Sequence, residues 1–271
     1  MNMFTQTQIS AFERCKRFYY LKMVRKLVWP VDVGEKRSIH EGEDFHLLVR
    51  QLLLGFPAES LIIPEENEDV RRWIDVYLKE QPIGNPEQLF AEKEVSAVFA
   101  DVLWLGKFDA LTIMDDRLTI WDWKTGAAKP VEAHYRTAPQ TRLYRFLAAV
   151  CAPRLLGTGQ HPIPAENIEM VYWFPEHPTK TLRLRYSEQK YQQDMTWLRT
   201  VAAELSSEEE SDYPQTEKSR QCEYCVYRSY CHPETAQDNF VFPADELFSE
   251  DFYQPDLFPP LPDPEQEQIT F

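Results

Sequence analysis

Apolar residues recur at helical spacing from Thr5 to Val24, where Phe12, Cys15, Tyr19 and Met23 fall on one stripe. The same period predicts helices over residues 37–54, 68–79, 135–150 and 188–205. Elsewhere the pattern shortens. Residues 89–99, 102–113 and 118–123 read as strands, with Asp115-Asp116 turning the chain between the last two. Residues 168–174 and 182–186 read as two more strands. A Pro-rich stretch from Gln81 to Pro86 closes the helical opening, and an acidic loop from Ser206 to Asp212 follows the last helix. Helices, three strands, a helix and further strands predict an α/β fold of the mixed α+β kind, not a regular βαβ alternation.

Several classes are set aside by what is missing. No run of about 18 apolar residues suggests a membrane span. Met1 to Gln8 is polar and has no apolar signal core, so a cytoplasmic location is the expectation. There is no Gly-x4-Gly-Lys-Ser/Thr loop, which argues against a nucleotide-driven motor on this chain. The net charge of −15 argues against blanket coating of duplex DNA. It is unevenly spread, however. From His232 to Phe271 there are ten acidic residues and no Lys or Arg, and the rest of the chain holds 34 acidic against 29 basic residues. Residues 1–232 therefore read as one folded domain, and residues 233–271 as an acidic, Pro-rich, disordered tail.

The candidate chemistry sits in the strands. Gly106-Lys107-Phe108-Asp109 lies on one, and Asp122-Trp123-Lys124 ends the next. Asp122 and Lys124 are two apart, so on a strand both point to one face, with Trp121 and Trp123 packing on the other. Burying Asp and Lys among apolar neighbours is costly without a purpose. Pairing of the strands would set Asp109 beside Asp122, and two close carboxylates repel unless a divalent cation lies between them. Mg²⁺, an oxygen-seeking ion, suits such a site, and Lys124 could orient or deprotonate its water. The alternative is a structural Asp–Lys ion pair at a strand end.

Taken in order, Gly106-x-x-Asp109, Asp122-x-Lys124 and Gln140-x3-Tyr144 resemble the signature of the RecB-type branch of the PD-(D/E)XK nucleases. Gly42-Glu43-Asp44-Phe45-His46 is similar to that branch's first motif. The resemblance implies a restriction-endonuclease-like core, with a central mixed sheet flanked by helices. It implies Asp109, Asp122 and Lys124 as catalytic residues. The metal, Mg²⁺ or Mn²⁺, would be held by His46, Asp109, Asp122, the carbonyl of Trp123 and, as a further acid, Glu94. His40 is a competitor for the histidine role. Gln140 and Tyr144, which share a helix face, would contact the DNA backbone.

Four of the five cysteines form a second pattern. Cys222-x2-Cys225-x5-Cys231 is compact, and Cys15 lies about 200 residues earlier within Phe12-Glu13-Arg14-Cys15. Without an export signal, clustered cysteines read as metal or cluster ligands. The one-plus-three spacing resembles CRISPR-associated iron–sulfur exonucleases and the AddB nuclease domain, which implies a [4Fe–4S] cluster joining the N- and C-terminal segments as a subdomain. Zinc is the alternative occupant. Cys151 reads as core packing. In the tail, Gln254, Leu257 and Phe258 resemble a short motif that binds the bacterial sliding clamp.

The function implied is a metal-dependent exonuclease acting on single-stranded or frayed DNA ends, in repair, recombination or CRISPR-type processing. The alternative is a non-catalytic or partner-dependent DNA-end-binding subunit of a helicase–nuclease complex.

Overall fold

The structure is a computed structural model that describes residues 2–28, 33–65, 67–155, 163–207, 209–216, 219–223 and 225–233, with the backbone alone for 33–39 and 219–220. Gln254, Leu257 and Phe258 lie outside the described residues, as does the rest of the tail. A short strand β1 (Asn2–Thr5) leads into α1 (Gln6–Arg14), where Thr5 and Gln8 close a capping box. The single helix expected over residues 5–24 is broken. Cys15 is extended, at φ −161° and ψ 121°, and is followed by α2 (Lys16–Tyr19) and a π-helical turn from Tyr20 to Val24. Helices α3 (Val33–Leu53) and α4 (Glu68–Glu80) come next.

Three strands then follow as expected: β2 (Gln88–Phe99), β3 (Val102–Met114) and β4 (Arg117–Trp123). The Asp115-Asp116 turn is present, with both residues at positive φ, 50° and 58°. A two-residue hairpin loop of type I′ needs this conformation at both positions, and Asp tolerates it better than most residues. After α5 (Glu132–Thr137) and α6 (Pro139–Leu155), the sheet is completed by β5 (Ile168–Trp173) and β6 (Leu182–Arg185). Helix α7 (Glu188–Leu205) is capped by the Ser187 side chain, and short helices α8 (Ser219–Glu223) and α9 (Arg228–Cys231) close the described chain. Among the described residues no helix is long and apolar enough to cross a membrane.

The long strand β3 organises the mixed sheet. Its one edge pairs antiparallel with β2 from Val102 to Ile113. Its other edge is shared. Parallel β1 takes residues 102–105, and antiparallel β4 takes Ala110 to Met114. Gly106 to Asp109 are left between, facing a gap in the sheet. Beyond β4 come parallel β5 and antiparallel β6.

Two apolar cores clasp this sheet. One gathers Leu118, Ile120, Met170 and Tyr172 against α1, α6 and α7. The other gathers Trp121, Trp123, Val171 and Trp173 against α3 and α4. Strict alternation along β4 and β5 therefore feeds both faces, the pattern of a strand buried on each side. In the second core, Phe45, Trp73, Tyr77, Trp123 and Trp173 form ring pairs with centroids 5.6 to 6.4 Å apart. Such pairs add about 0.5–1.5 kcal/mol each beyond burial. Behind α6, buried Asp194 of α7 accepts from Arg142 Nε at 2.7 Å and Tyr186 at 3.1 Å, locking the two helices together.

Gly106 is where α6 comes nearest the sheet. A Cβ there would lie 2.8 Å from Leu147 Cδ1 and 3.3 Å from two ring carbons of Tyr144. Gly106→Val should push α6 outward and cost about 1–3 kcal/mol by overpacking. Urea unfolding checks this, and a midpoint unchanged from the parent would show that the contact is not tight.

Candidate active site

The gap in the sheet is a fork. The β3–β4 ladder runs from Met114↔Arg117 to Ala110↔Trp121 and stops. Strand β4 continues beside β5 as far as Trp123↔Trp173, with Lys124 N–H donating to Trp173 O at 3.0 Å. The Trp123 N–H, which has lost its strand partner, donates instead to Asp109 Oδ2 at 2.7 Å. A side chain has replaced a ladder bond at the point where the strands part.

A second irregularity aims that side chain. Ala91 pairs with Ala110 and Lys93 with Phe108, so Glu92 and Asp109 face each other without a bridge. Glu92 has φ of 50°, in the left-handed region. The alternation slips by one residue here. Phe108 and Leu111 both join the α6-side core, while Ala110 joins the α3-side core. Bulge-like breaks of this kind re-aim side chains. Asp109 is turned toward α3, where His46 waits.

His46 Nδ1 lies 3.2 Å from Asp109 Oδ1, and Nε2 lies 3.1 Å from the Trp123 carbonyl. Glu92 completes the group: one ligand atom from each of His46, Glu92 and Asp109 lies within 4.8 Å of the others. Gly42, one turn earlier on α3, lets the helix approach, since a Cβ there would sit 3.2 Å from Thr125 Oγ1. His40 is exposed and pairs with Glu43 at 3.2 Å, away from this group.

Asp122 occupies the opposite face. Gln140 Nε2 of α6 donates to its Oδ1 at 2.8 Å. Its Oδ2 lies 3.1 Å from Lys124 Nζ but has no well-directed hydrogen bond, so a buried carboxylate oxygen is held by charge alone. The Asp122 and Lys124 side chains are 6% and 8% exposed, against 24% for His46 and 14% for Asp109. The histidine and Asp109 are thus at the mouth, and the Asp–Lys pair is deeper.

The two acids are driven apart in ionisation. Burial pushes Asp122 up to about 7, with Asp109 adding to the rise and Lys124 opposing it. Burial also acts against ionised Asp109, but His46, the Trp123 N–H and Lys124 outweigh it and hold that carboxyl below its ordinary value. Separated pKa values of paired acids are a mark of sites built for chemistry.

The sequence-predicted residues His46, Asp109, Trp123, Asp122, Lys124 and Gln140 come together here. Glu94 does not. It sits exposed opposite Lys107 in the β2–β3 ladder, and the acid beside His46 is Glu92, which is also ion-paired with Lys107. Regular alternation would put both on one face, and the left-handed backbone at Glu92 separates them. Gln140 and Tyr144 are 2% and 3% exposed, so neither offers a surface to DNA in this conformation. Burial raises the Tyr144 phenol well above its ordinary value, and Asp122 adds to the rise.

The four cysteines also meet. Cys15, Cys222, Cys225 and Cys231 line one cavity together with Phe18 and Leu21. Burial, then the neighbouring thiols, raises Cys231 to about 11, and burial likewise raises Cys222 and Cys225. Cys151 is buried elsewhere, its thiol 3.5 Å from Ser96 O.

If Asp122 is a ligand, its raised pKa makes cation capture pH-dependent, because the ion would have to displace its proton. Mn²⁺ affinity should rise about tenfold per pH unit up to about 7, with close to one proton released per ion at pH 6. Calorimetric titration in buffers of different ionisation enthalpy measures this. Equal affinity at pH 5.5 and 8 would show that Asp122 is not a ligand.

The sequence matches the family model of the PD-(D/E)XK nuclease superfamily over residues 91–232, from the break in β2 to just past the last cysteine. In fold, the chain is similar to the crystal structure of a "Putative exonuclease" from Eubacterium rectale, at 7% identity and a TM-score of 0.49, covering 88% of this chain and 89% of that one. It is also similar to the crystal structure of SSO0001, at 14% identity and a TM-score of 0.39, covering 86% of each chain. Among curated proteins, none matches. The family match spans more than half of the sequence and includes Asp109, Asp122 and Lys124, and the chain belongs to the PD-(D/E)XK nuclease superfamily.

Proposed function

We propose that this chain is a metal-dependent DNA nuclease, an exonuclease working on single-stranded or frayed ends in repair, recombination or CRISPR-type processing. The observation that carries the reading is the fork between β3 and β4, which holds His46 and Asp109 on one side and the buried Asp122–Lys124 pair on the other, close enough to act on each other's charge. The donor set, nitrogen and oxygen with a buried carboxylate oxygen short of a directed donor, fits Mg²⁺ or Mn²⁺. His46, Asp109, Asp122 and the Trp123 carbonyl would hold the ion, with Glu92 the further acid. When bound, the ion supplies Lewis-acid polarisation of the phosphate and a more acidic water.

The chain's own groups do the rest. Lys124, buried against Asp122, places a fixed positive charge where the phosphate becomes more negative in the transition state. Gln140 fixes the orientation of the Asp122 carboxylate through Oδ1. Contact of Gln140 or Tyr144 with the DNA backbone stands on the family resemblance.

The test is cleavage of end-labelled single-stranded DNA with Mg²⁺ or Mn²⁺. Lys124→Ala should lower kcat by about 10²–10³-fold, as removal of a transition-state donor does. Retained activity in that variant refutes the site. Binding of ends by both proteins without cleavage would favour a subunit that cuts only with a helicase partner.

The [4Fe–4S] cluster, with zinc the alternative, rests on the one-plus-three cysteine spacing, and the meeting of Cys15, Cys222, Cys225 and Cys231 at one cavity supports it. Anaerobic purification should give a brown protein absorbing near roughly 400 nm. Cys225→Ser should bleach it and lower the unfolding temperature by opening a loop of about 200 residues. A colourless protein with one zinc per chain would replace the cluster with zinc. Clamp binding through Gln254, Leu257 and Phe258 rests on those residues' sequence pattern.

A further inference from the structure

Strand β5 presents Ile168, Met170 and Tyr172 to the α6 side of the sheet, where all three join the apolar core. Ile168 and Met170 are what such a face requires. Tyr172 brings a hydroxyl into it, on a fully buried side chain whose register partner on β4 is Asp122. A buried hydroxyl left without a partner costs about 1–3 kcal/mol, so its partners matter.

That hydroxyl meets the first turn of α6 at two points. Thr141 Oγ1 lies 2.7 Å away and Gln140 Oε1 lies 3.4 Å away. Thr141 Oγ1 donates to the Tyr135 carbonyl at 2.5 Å. A threonine hydroxyl has one proton, so Thr141 offers Tyr172 lone pairs, and the phenol is the donor. The phenol proton is shared between Thr141 at short range and the Gln140 amide oxygen at longer range. The other end of that amide, Nε2, donates to Asp122 Oδ1 at 2.8 Å. Turned over, the amide would set its oxygen against a carboxylate oxygen. The Tyr172 ring also carries Lys124, whose Nζ is 5.8 Å from its centroid, within reach of a cation–π attraction. One core side chain thus touches both the lysine and the amide that holds its partner acid.

We propose that Tyr172 is a positioning residue for strand cleavage, its hydroxyl keeping the Gln140 amide in the orientation that donates to Asp122. It acts through Gln140 and touches neither DNA nor metal. The proposal rests on the nuclease reading for the reaction it serves.

The test is steady-state cleavage of end-labelled single-stranded DNA with Mn²⁺ by the full chain, as parent, Tyr172→Phe, Gln140→Ala and the double variant. Phenylalanine keeps a ring beneath Lys124, and Thr141 keeps its donation to Tyr135, so no buried donor is stranded. Tyr172→Phe should lower kcat about three- to tenfold with KM near the parent's. In the Gln140→Ala background the same change should cost less than about twofold, because its target is gone. A parent-like kcat in Tyr172→Phe overturns the proposal, as does an equal loss in both backgrounds, which marks a packing effect. A second readout is independent of cleavage. In the ¹H–¹⁵N spectrum, the Gln140 side-chain amide pair, identified by its disappearance in Gln140→Ala, should move in Tyr172→Phe. A pair that stays in place overturns the contact whether or not the parent cuts. A pair that moves in a parent that cuts nothing sinks the nuclease reading and leaves the orienting contact standing.

Discussion

One hydrogen bond organises the active site, the donation from the Trp123 backbone N–H to Asp109 Oδ2. A sheet that splits in its interior leaves backbone donors with no strand to pair with, and each costs about as much as a lost hydrogen bond. Water cannot easily serve a strand end flanked by Trp121 and Trp173. A carboxylate can, and in doing so it becomes fixed at the fork. The burial that would otherwise keep Asp109 protonated is outweighed by that N–H together with His46 and Lys124. Structure and chemistry thus share the same atoms: the bond that ends the β3–β4 ladder also holds the acid ionised.

The sheet itself keeps the two acids distinct. Asp122 follows regular alternation onto the α6 face and meets Gln140. Asp109, through the slip at Glu92, turns to the α3 face and meets His46. They approach each other only across the open end of the fork. With one carboxyl held low and the other pushed up to about 7, a metal-free site at neutral pH does not carry two full charges in close quarters. A cation removes that restraint, since it favours the ionised form of both. The metal-free site therefore holds one ionised carboxylate, and a divalent ion bound there would favour the second.

Much of this was legible in the sequence, and the failures share a cause. Period-two alternation, the Asp115-Asp116 turn and the Asp122-x-Lys124 spacing are local, and each led to the right element. The strand β1 was missed because Asn2–Thr5 is four residues long with Phe4 its one buried apolar side chain. The helix over residues 5–24 was drawn through Cys15 because its side chain fits the apolar stripe, whereas its backbone is extended. Glu94 follows from the family resemblance, whereas the acid beside His46 is Glu92, whose left-handed backbone takes it out of the regular alternation. Spacing put Gln140 and Tyr144 on one helix face, but not Gln140 on Asp122, which depends on how closely α6 lies on Gly106. Periodicity assumes regular backbone, and the site is built where the backbone stops being regular.

The chain's two ends bear on the same geometry. Helix α6 packs against both α1 and α7, so the position of Gln140 depends on what holds those helices. Tyr213 stacks on Tyr20, Tyr227 donates to Leu27 O, and Lys16 pairs with Glu204 at 2.7 Å. The exposed ion pair is worth little. The aromatic contacts are stronger, yet they lie beside a cavity where Cys222, Cys225 and Cys231 are all raised in pKa by burial and by neighbouring thiols. Left as thiols, these groups contribute modest packing. Bound to a cation through their thiolates, they become a covalent-strength tie between α2 and the chain's last described segment. Cys15 ends α1, one of the two helices that pack on α6, and α6 carries the only directed hydrogen bond to the Asp122 carboxylate among the described residues. A cluster held there would bear on the chemistry through the placement of that one carboxylate.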